Sequence, residues 1–238
     1  MRAWRIVCRA LAEVVAPARC LGCLREGVWL CADCRDKRKN FEQACIVCRR
    51  KSVRGLTHDA CQQKTALTGH LAAGAYHDPA LRRGVHWLKF KSVRAVAPAL
   101  ASLVIPYLNT IAPLAQLRIE AELVPIPLHR RRESARGFNQ SEVLAQSIAT
   151  ITGLPVRDRL LRCRATWAQA RLPEKLRQEN LAGALTLAPE ATMVGALAQT
   201  LILIDDVATS GSTLTAAARV LKDHGEAGSI WAVTIARG

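Results

Sequence analysis

Aromatic residues are scarce in this sequence, with five Trp, two Tyr and three Phe among 238 residues. A protein that held single-stranded nucleic acid mainly by stacking would need more of them. Half of the residues are apolar, but no run approaches the ~18 uncharged apolar residues that a membrane span requires. Acidic residues are also few, 19 against 34 Lys and Arg, which gives a formal net charge of +15. The composition predicts a soluble protein without a membrane span and favours a polyanionic partner.

The first residues have the basic start and apolar stretch that secretory signal peptides also have. Arg9 and Glu13 interrupt that stretch, and its apolar residues recur at helical spacing. The pattern predicts an amphipathic helix over residues 1–17 rather than a signal peptide. We therefore expect a cytoplasmic protein.

Basic residues form several short clusters, at 35–39, 49–51, 130–132 and 157–164. A solvated surface explains any single cluster about as well as a binding site does. Their sum favours nucleic acid over membrane lipid. With so few aromatic side chains, contacts to backbone phosphates would have to dominate.

Nine cysteines occur, and eight of them precede residue 62. In a reducing cytoplasm, pairs with C-x-x-C spacing favour metal ligation over disulfides. The candidate ligands are Cys20, Cys23, Cys31 and Cys34 in a first set and Cys45, Cys48, His58 and Cys61 in a second. Each set can complete a tetrahedral zinc shell with no position left for water, so the predicted zinc is structural.

A redox dithiol is the competing interpretation of a C-x-x-C pair. Such dithiols stand at the head of a helix after a strand, and neither pattern is present here. Cys8 and Cys163 lack partners at ligand spacing and are predicted to be packed thiols. Since His58 replaces a cysteine in the second set, we expect one or two zinc ions per chain.

The strongest motif begins with four branched apolar residues, 201–204, which predict a strand buried on both faces. Asp205 and Asp206 follow at its carboxyl end, where open α/β sheets bind ligands. Small residues then lead into an apolar-periodic helix: Thr209, Ser210, Gly211, Ser212 and Thr213. Amides and hydroxyls at a helix N-terminus suit phosphate, and the carboxylates suit ribose hydroxyls. A Ser or Thr helix cap without a ligand is the alternative, but it leaves the two acids unexplained.

Strand and helix patterns alternate around this motif. Strands are predicted at 71–76, 123–127, 201–204 and 229–236, and helices at 79–90, 93–108, 141–151 and 213–224. The alternation predicts an α/β fold with a doubly wound parallel sheet. Residues 186–199 are rich in Ala, Pro and Gly and are predicted to form a loop. Residues 18–64 lack apolar periodicity and are predicted to be a small zinc-ribbon domain, followed by a larger domain over 65–238.

The run from Leu201 to Thr213 resembles the 5-phosphoribosyl diphosphate signature of type I phosphoribosyltransferases, although Ala208 stands where that family more often has a larger apolar residue or Thr. Residues 124–141, 169–183 and 88–91, with the cysteine-rich start, are similar to the ComF/GntX family of competence-associated proteins. The resemblance extends from about residue 15 to the end of the chain. It implies a type I phosphoribosyltransferase-like fold, a pocket for phosphoribosyl diphosphate with Mg²⁺, and a role in handling single-stranded DNA during natural transformation.

Further candidates follow the strand at 123–127, where such folds carry a mobile loop that closes over the ligand. They are Arg136, Gly137, Asn139 and Gln140. Gly beside Arg permits close approach to diphosphate oxygens, and a solvated basic loop is the alternative. Lys89 and Lys91 either contact diphosphate or form the charged end of an amphipathic helix. Arg177 and Asn180 are weaker ligand candidates.

Two functions of different classes remain open. One is a binding module of the competence machinery that holds single-stranded DNA or a partner ATPase and keeps a phosphoribosyl diphosphate pocket. The other is an active phosphoribosyltransferase, in which Mg²⁺ neutralises the diphosphate leaving group and Asp205 and Asp206 act as catalytic residues that orient the ribose. No base-specificity segment is recognisable. A zinc-dependent transcription factor is disfavoured because no basic recognition helix follows the ligand sets.

Overall fold

A computed structural model of the chain describes residues 17–38, 40–164, 183–189, 199–226 and 228–238. The helix predicted over 1–17 lies outside these ranges except for Pro17, and Arg177 and Asn180 also lie outside them. The chain divides into two compact units, Met1–Asn40 and Phe41–Gly238. The boundary divides the segment 18–64, so the second set of metal-ligand candidates belongs to the larger unit.

The larger unit is built on a sheet of four parallel strands, which are β1 Gly69–Ala72, β2 Ala121–Pro125, β5 Thr200–Ala208 and β6 Ser229–Arg237. Their order in the sheet is β1-β6-β5-β2. Residues 201–204 of β5 are all buried, as expected for a parallel strand covered on both faces. The predicted α/β fold with a parallel sheet is confirmed.

A second, antiparallel sheet has two short strands, β3 Leu160–Arg162 and β4 Leu185–Leu187. Leu160 is paired with Leu187, and Leu161 with Thr186. The loop predicted over 186–199 is therefore wrong at its first two residues, because they belong to strand β4, which pairs with β3. Residues 190–198 of that prediction lie outside the described ranges.

Helices connect and cover the strands. The helices are α1 Ala32–Asp36, α2 Asp59–Gln62, α3 Pro79–Phe90, α4 Ala97–Ser102, α5 Ile105–Leu108, α6 Leu114–Glu120, α7 Arg130–Arg136, α8 Gln140–Thr152 and α9 Ser212–Asp223, with 3₁₀ turns at Val53–Gly55 and Arg94–Val96. The single helix predicted over 93–108 is wrong, since Pro98 and Pro106 each open a new short helix. Proline lacks an amide hydrogen and is tolerated in the first turn of a helix.

Apolar side chains cover both faces of the parallel sheet. On one face, Leu201 and Leu203 of β5 share a cluster with Leu214 and Leu221 of α9. Ile202 and Ile204 alternate to the opposite face, and both are buried. Helix α8 packs on β5 and β2 with buried residues outside that cluster. No helix in the described ranges is long and apolar enough to span a membrane.

A buried ion cluster ties the hairpin to the parallel sheet. Arg159, which precedes β3, is only 1% exposed. Its Nε lies 2.7 Å from Oε2 of Glu122 on β2, and its Nη1 bonds to Oε2 of Glu226 after α9. Burial alone would lower the pKa of Arg159, but the two carboxylates raise it. The guanidinium therefore stays charged and joins three separate segments.

Candidate functional site

The two adjacent acids lie on β5, in the middle of the parallel sheet. The strand continues two residues beyond them to Ala208, so it is longer than the sequence predicted. The next residues, Thr209–Thr213, which we call the phosphate loop, turn the chain into α9. The predicted turn and helix follow, but the acids lie within the strand and not after its end.

Asp205 accepts two hydrogen bonds, one from a side-chain hydroxyl and one from a backbone amide. Ser141 Oγ, at the start of α8, donates to Oδ1 at 2.9 Å, and the Asp206 amide donates to the same oxygen at 2.8 Å. Burial and the charge of Asp206 raise the pKa of Asp205 to about 7, against the opposing effects of Lys89 and these two donors. The carboxyl group therefore changes charge near neutral pH.

Asp206 forms an ion pair with Lys89 of α3. Lys89 Nζ lies 2.8 Å from Asp206 Oδ2 and donates to Oδ1 at 3.2 Å. The Asp206 side chain is 3% exposed and that of Lys89 is 29% exposed. Burial would lower the pKa of Lys89, but the charges of Asp206 and Asp205 raise it overall. A charged ammonium group thus stands at the acid pair, with part of its surface open to a ligand.

The phosphate loop enters α9 through Gly211, which has no side chain that could cap the helix. Gly211 is the N-cap residue and has a left-handed φ of 76°. Ser210 Oγ lies 2.7 Å from Ser212 Oγ, and the Ser212 amide donates weakly to Ser210 Oγ at 3.4 Å. A helix N-terminus is suited to an anion, because the macrodipole and the amides both favour negative charge.

The two lysine candidates have different surroundings. Lys89 faces the acid pair, whereas Lys91 is exposed and forms the C-cap of α3, where its amide donates to Trp87 O. Helix α3 has the predicted bounds, since Asp78 accepts hydrogen bonds from the Ala80 and Leu81 amides and Pro79 stands in the first turn. Of the two lysines, Lys89 is the one that contacts the acid pair.

The segment after β2 is mainly helical, where a loop was expected. Arg136 ends α7, and Gly137 follows with φ 80°. Asn139 caps α8 by accepting from the Ser141 amide, and its Nδ2 donates to Ile126 O. Gln140 is buried and accepts from Arg136 Nη1. Asn139 and Gln140 thus position α8 and Arg136.

Arg136 interacts electrostatically with the acids, as does an arginine that the sequence did not single out. Burial lowers the pKa of Arg136, and Asp206 and Asp205 act in the opposite direction. Burial, followed by the charge of Arg132, also lowers the pKa of Arg162 on β3, while Asp205 opposes the shift. Arg162 was visible only as one residue of the basic cluster 157–164. No sequence pattern marked Ser141 as a site residue, apart from its position directly after Gln140.

The first cysteine cluster lies in the small unit. Its sulfur atoms, from Cys20, Cys23, Cys31 and Cys34, all lie within 4.8 Å of one another. Cys31 Sγ is 3.6 Å from Cys20 Sγ and 3.8 Å from Cys23 Sγ. Sulfurs about 2.3 Å from a tetrahedral zinc would be roughly 3.8 Å apart. The four thiols therefore fit one metal ion.

The backbone around this cluster changes the pKa of one thiol and allows the thiols to lie close together. Burial alone would raise the pKa of Cys20, but the amides of Cys31, Cys23 and Gly22 lower it to about 6. Hydrogen bonding to Cys31 raises the pKa of Cys34 to about 12. A Cβ atom on Gly22 would lie 2.7 Å from Cys34 Sγ, so this glycine permits the approach of the second pair.

The second cluster, Cys45, Cys48, His58 and Cys61, also brings its four ligand atoms within 4.8 Å. Cys48 Sγ lies 3.2 Å from His58 Nδ1. The amide and guanidinium of Arg50, followed by His58, lower the pKa of Cys48 to about 6 against the effect of burial. A thiolate beside an imidazole nitrogen is a donor set that zinc accepts. His58 therefore joins this cluster as a ligand candidate.

No family model matches the chain, but named relatives do. DNA utilization protein YhgH of Salmonella typhimurium is 34% identical over 168 residues, which cover 70% of this chain and 72% of that protein. Competence protein F of Haemophilus influenzae is 26% identical over 223 residues, with 92% and 91% covered. Competence protein ComFC of Bacillus subtilis is 28% identical over 228 residues, with 92% and 88% covered. The chain belongs to the ComF family.

Proposed function

We propose that this protein acts in DNA uptake, where it handles single-stranded DNA and binds phosphoribosyl diphosphate, or a phosphorylated nucleic-acid end, at the phosphate loop. One observation carries the proposal: a carboxylate pair, the N-terminus of α9 and basic side chains meet at one end of the sheet. A ligand that satisfies all three has phosphate groups and sugar hydroxyls. The names of the relatives, which refer to competence and DNA utilization, support the same process.

Each group has a distinct task in such a pocket. The N-terminal turn of α9 would receive a phosphate, and Asp205 would accept hydrogen bonds from ribose hydroxyls. Lys89 and Arg136 would offset the charge of the diphosphate. Mg²⁺ bound to the diphosphate would supply further charge neutralisation. Calorimetric titration with Mg²⁺–phosphoribosyl diphosphate tests the proposal, and saturable binding near one ligand per chain is expected. A flat titration at millimolar ligand would contradict it.

An active phosphoribosyltransferase is the second candidate. The observation that favours it is the pKa of Asp205 near 7 beside the phosphate loop, since perturbed carboxyl groups occur often in catalytic sites. Isotope-traced release of diphosphate from phosphoribosyl diphosphate, with a panel of bases or with single-stranded DNA, separates the two functions. Binding without release supports the binding module, whereas release that depends on a base supports the transferase.

The two ligand clusters predict the zinc content of the purified protein. Both clusters have complete ligand sets, so elemental analysis of protein purified without chelator should give about two zinc ions per chain. The Gly22→Ala variant should retain about one, because the added methyl group would lie 2.7 Å from Cys34 Sγ and displace that thiol.

Gly27→Ala is the matched control for this variant. Gly27 also lies in the small unit, and a Cβ there meets no atom within 4 Å, although its φ of 102° adds backbone strain. It should keep both zinc ions if steric displacement of Cys34 is the cause. Wild-type protein without zinc, or equal zinc loss in the two variants, would contradict the prediction.

Binding of single-stranded DNA should depend steeply on salt. With few aromatic side chains, affinity would come from phosphate contacts, each of which contributes about −0.7 to the slope of log K against log salt. Four to six contacts would give a slope of roughly −3 to −4. Filter binding across several salt concentrations measures the slope, and sequence preference should be slight.

Helix α7 is the segment that we expect to contact DNA. Arg130 and Arg131 are exposed there, on the same helix as Arg136 of the pocket. The double variant Arg130→Ala, Arg131→Ala should flatten the slope by about 1.4 if both contact phosphates. The charge-matched control, Arg219→Ala, Lys222→Ala, removes two exposed cations from α9 and should change the slope little. No binding near 150 mM salt, or equal slopes in both variants, would argue against this assignment.

A further inference from the structure

The second cluster and the phosphate loop meet at a close contact between Ile46 and Gly211. Gly211 turns the loop with φ 76°, and a Cβ atom built on it would lie 2.6 Å from Ile46 Cγ1 and 2.9 Å from Ile46 Cδ1. The carbonyl oxygen of Ile46 follows at 3.9 Å. The Ile46 side chain thus lies directly against the residue that aims the first amides of α9.

Ile46 is itself fixed by the residues around it. It stands between Cys45 and Cys48, and the turn is closed by hydrogen bonds from the Cys45 amide to Arg50 O and from the Arg49 amide to Cys45 O. Cys45 is fully buried, and Ile46 is 7% exposed. The position of the Ile46 side chain therefore depends on the turn that carries two ligands of the second cluster.

The same side chain belongs to a hydrophobic cluster that extends along both ends of the phosphate loop. Ala208, the last residue of β5, and Leu214, in the first turn of α9, are members of that cluster with Ile46. Val47 packs against the cluster from a partly buried position. Ile46 differs from Val47 in that it supplies all three atoms nearest to the Cβ position of Gly211.

Two more contacts join the second cluster to the site. Thr65, four residues after Cys61, places its Oγ1 3.2 Å from Thr215 Oγ1 in the first turn of α9. Arg237, at the end of β6, donates from Nη1 to Ala44 O at 3.1 Å. The ligand-bearing segments on both sides of the cluster therefore contact the elements that hold the phosphate loop.

We propose that Ile46 is a positioning residue for the phosphate loop, and that metal loading of the second cluster and diphosphate binding at the loop strengthen each other through it. Segments with few apolar residues gain their conformation from metal binding. A loop held in its binding conformation loses less entropy when the ligand binds. The coupling is reciprocal, because it is a free energy shared by the two sites. The inference rests on the proposed diphosphate binding.

The test compares Ile46→Ala, the conservative variant Ile46→Val and the control Val47→Ala in the full zinc-loaded chain. Ile46→Ala should bind Mg²⁺–phosphoribosyl diphosphate on the order of tenfold more weakly, with two zinc ions retained and Ile46→Val close to wild type. In wild-type protein, saturating ligand should slow the transfer of one zinc ion to a chromophoric chelator. Ile46→Ala should lose that protection, whereas Val47→Ala should keep it.

Amide hydrogen exchange gives a measurement that needs no ligand. Exchange over residues 209–215 should be faster in Ile46→Ala than in Val47→Ala, since the loop has lost its contact. Equal exchange in these two variants, or zinc release that ligand does not slow in wild type, would overturn the coupling. If wild-type protein binds no phosphoribosyl diphosphate, the proposed function fails, but faster loop exchange in Ile46→Ala would still support the positioning role of Ile46.

Discussion

Mg²⁺–phosphoribosyl diphosphate is expected to bind the double variant Asp205→Asn, Asp206→Asn at least 100-fold more weakly than wild-type protein. Each hydrogen bond to a charged group contributes about 1.5–3 kcal/mol, and the loss of two such bonds from ribose hydroxyls to Asp205 corresponds to roughly 10²–10⁴ in Kd. Asparagine keeps the size of the side chain and removes the charge. Isothermal titration calorimetry measures the change in affinity.

Inorganic diphosphate distinguishes the role of the acids from a general disturbance of the pocket. The carboxylates repel phosphate oxygens, so their neutralisation should leave the affinity for inorganic diphosphate unchanged or increase it. Only the ligand with ribose hydroxyls should bind more weakly. Asp223→Asn, at the exposed end of α9, is the charge-matched control for a single substitution. Equal losses for both ligands would contradict the assignment of the acids to ribose.

The protonation of Asp205 should also make the affinity for the ribose-containing ligand depend on pH. Since its pKa is about 7, the ionised form that accepts from hydroxyls accumulates between pH 6 and 8. The ratio of affinities for phosphoribosyl diphosphate and inorganic diphosphate should rise over that interval in wild type and stay flat in Asp205→Asn. The linked effect on folding has the opposite direction. A carboxyl pKa raised from about 3.9 in the unfolded chain lowers stability as pH rises from about 4 to about 7.

Arg159→Met is expected to cost about 3–5 kcal/mol of folding stability, the range seen when one partner of a buried ion pair is removed. The substitution leaves Glu122 and Glu226 without the cation that bonds to both. For a chain of this size the loss corresponds to a decrease in Tm of roughly 6–20 °C. Calorimetry or circular dichroism on zinc-loaded protein measures the decrease.

Two further variants show whether the uncompensated charges cause the loss. Arg157→Met removes an exposed arginine two residues earlier and should change Tm little, since exposed charges contribute little to stability. Adding Glu122→Gln and Glu226→Gln to Arg159→Met should recover part of the lost stability, because neutral side chains cost less to bury. A Tm for Arg159→Met within about 2 °C of the wild-type Tm would correspond to a small change in the free energy of unfolding. That result would show that the ion cluster contributes little to stability.

Local sequence patterns predicted the elements whose ends are set by nearby residues. Helix α3 has its predicted bounds because Asp78 and Pro79 define its start within four residues. The succession of strand, turn and helix around the acids was predictable for the same reason, although the strand continues past the acids. The helix predicted over 93–108 failed because its apolar periodicity continues through Pro98 and Pro106, which each start a separate helix.

Contacts between distant residues could not be read from such patterns. Ser141 bonds to Asp205 across 64 positions, and the charge of Asp205 acts on the pKa of Arg162, which is also distant in the sequence. Arg159 resembled a surface residue in a basic cluster, yet it is buried between two carboxylates. Both metal-ligand sets were predicted from spacing alone, but the packing of Ile46 on Gly211 depends on the tertiary fold.

The strand order β1-β6-β5-β2 has a consequence for how the chain is made. Among the named strands of the described ranges, β1 pairs only with β6, and β2 only with β5. A nascent chain that has reached residue 199 on the ribosome has both edge strands but neither central strand. The parallel sheet cannot be completed until β5 and β6, which follow both edge strands in the sequence, have left the exit tunnel. Until β5 emerges, β2 and the side of α8 that packs on the sheet lack their partner strand, and such unpaired apolar segments favour aggregation.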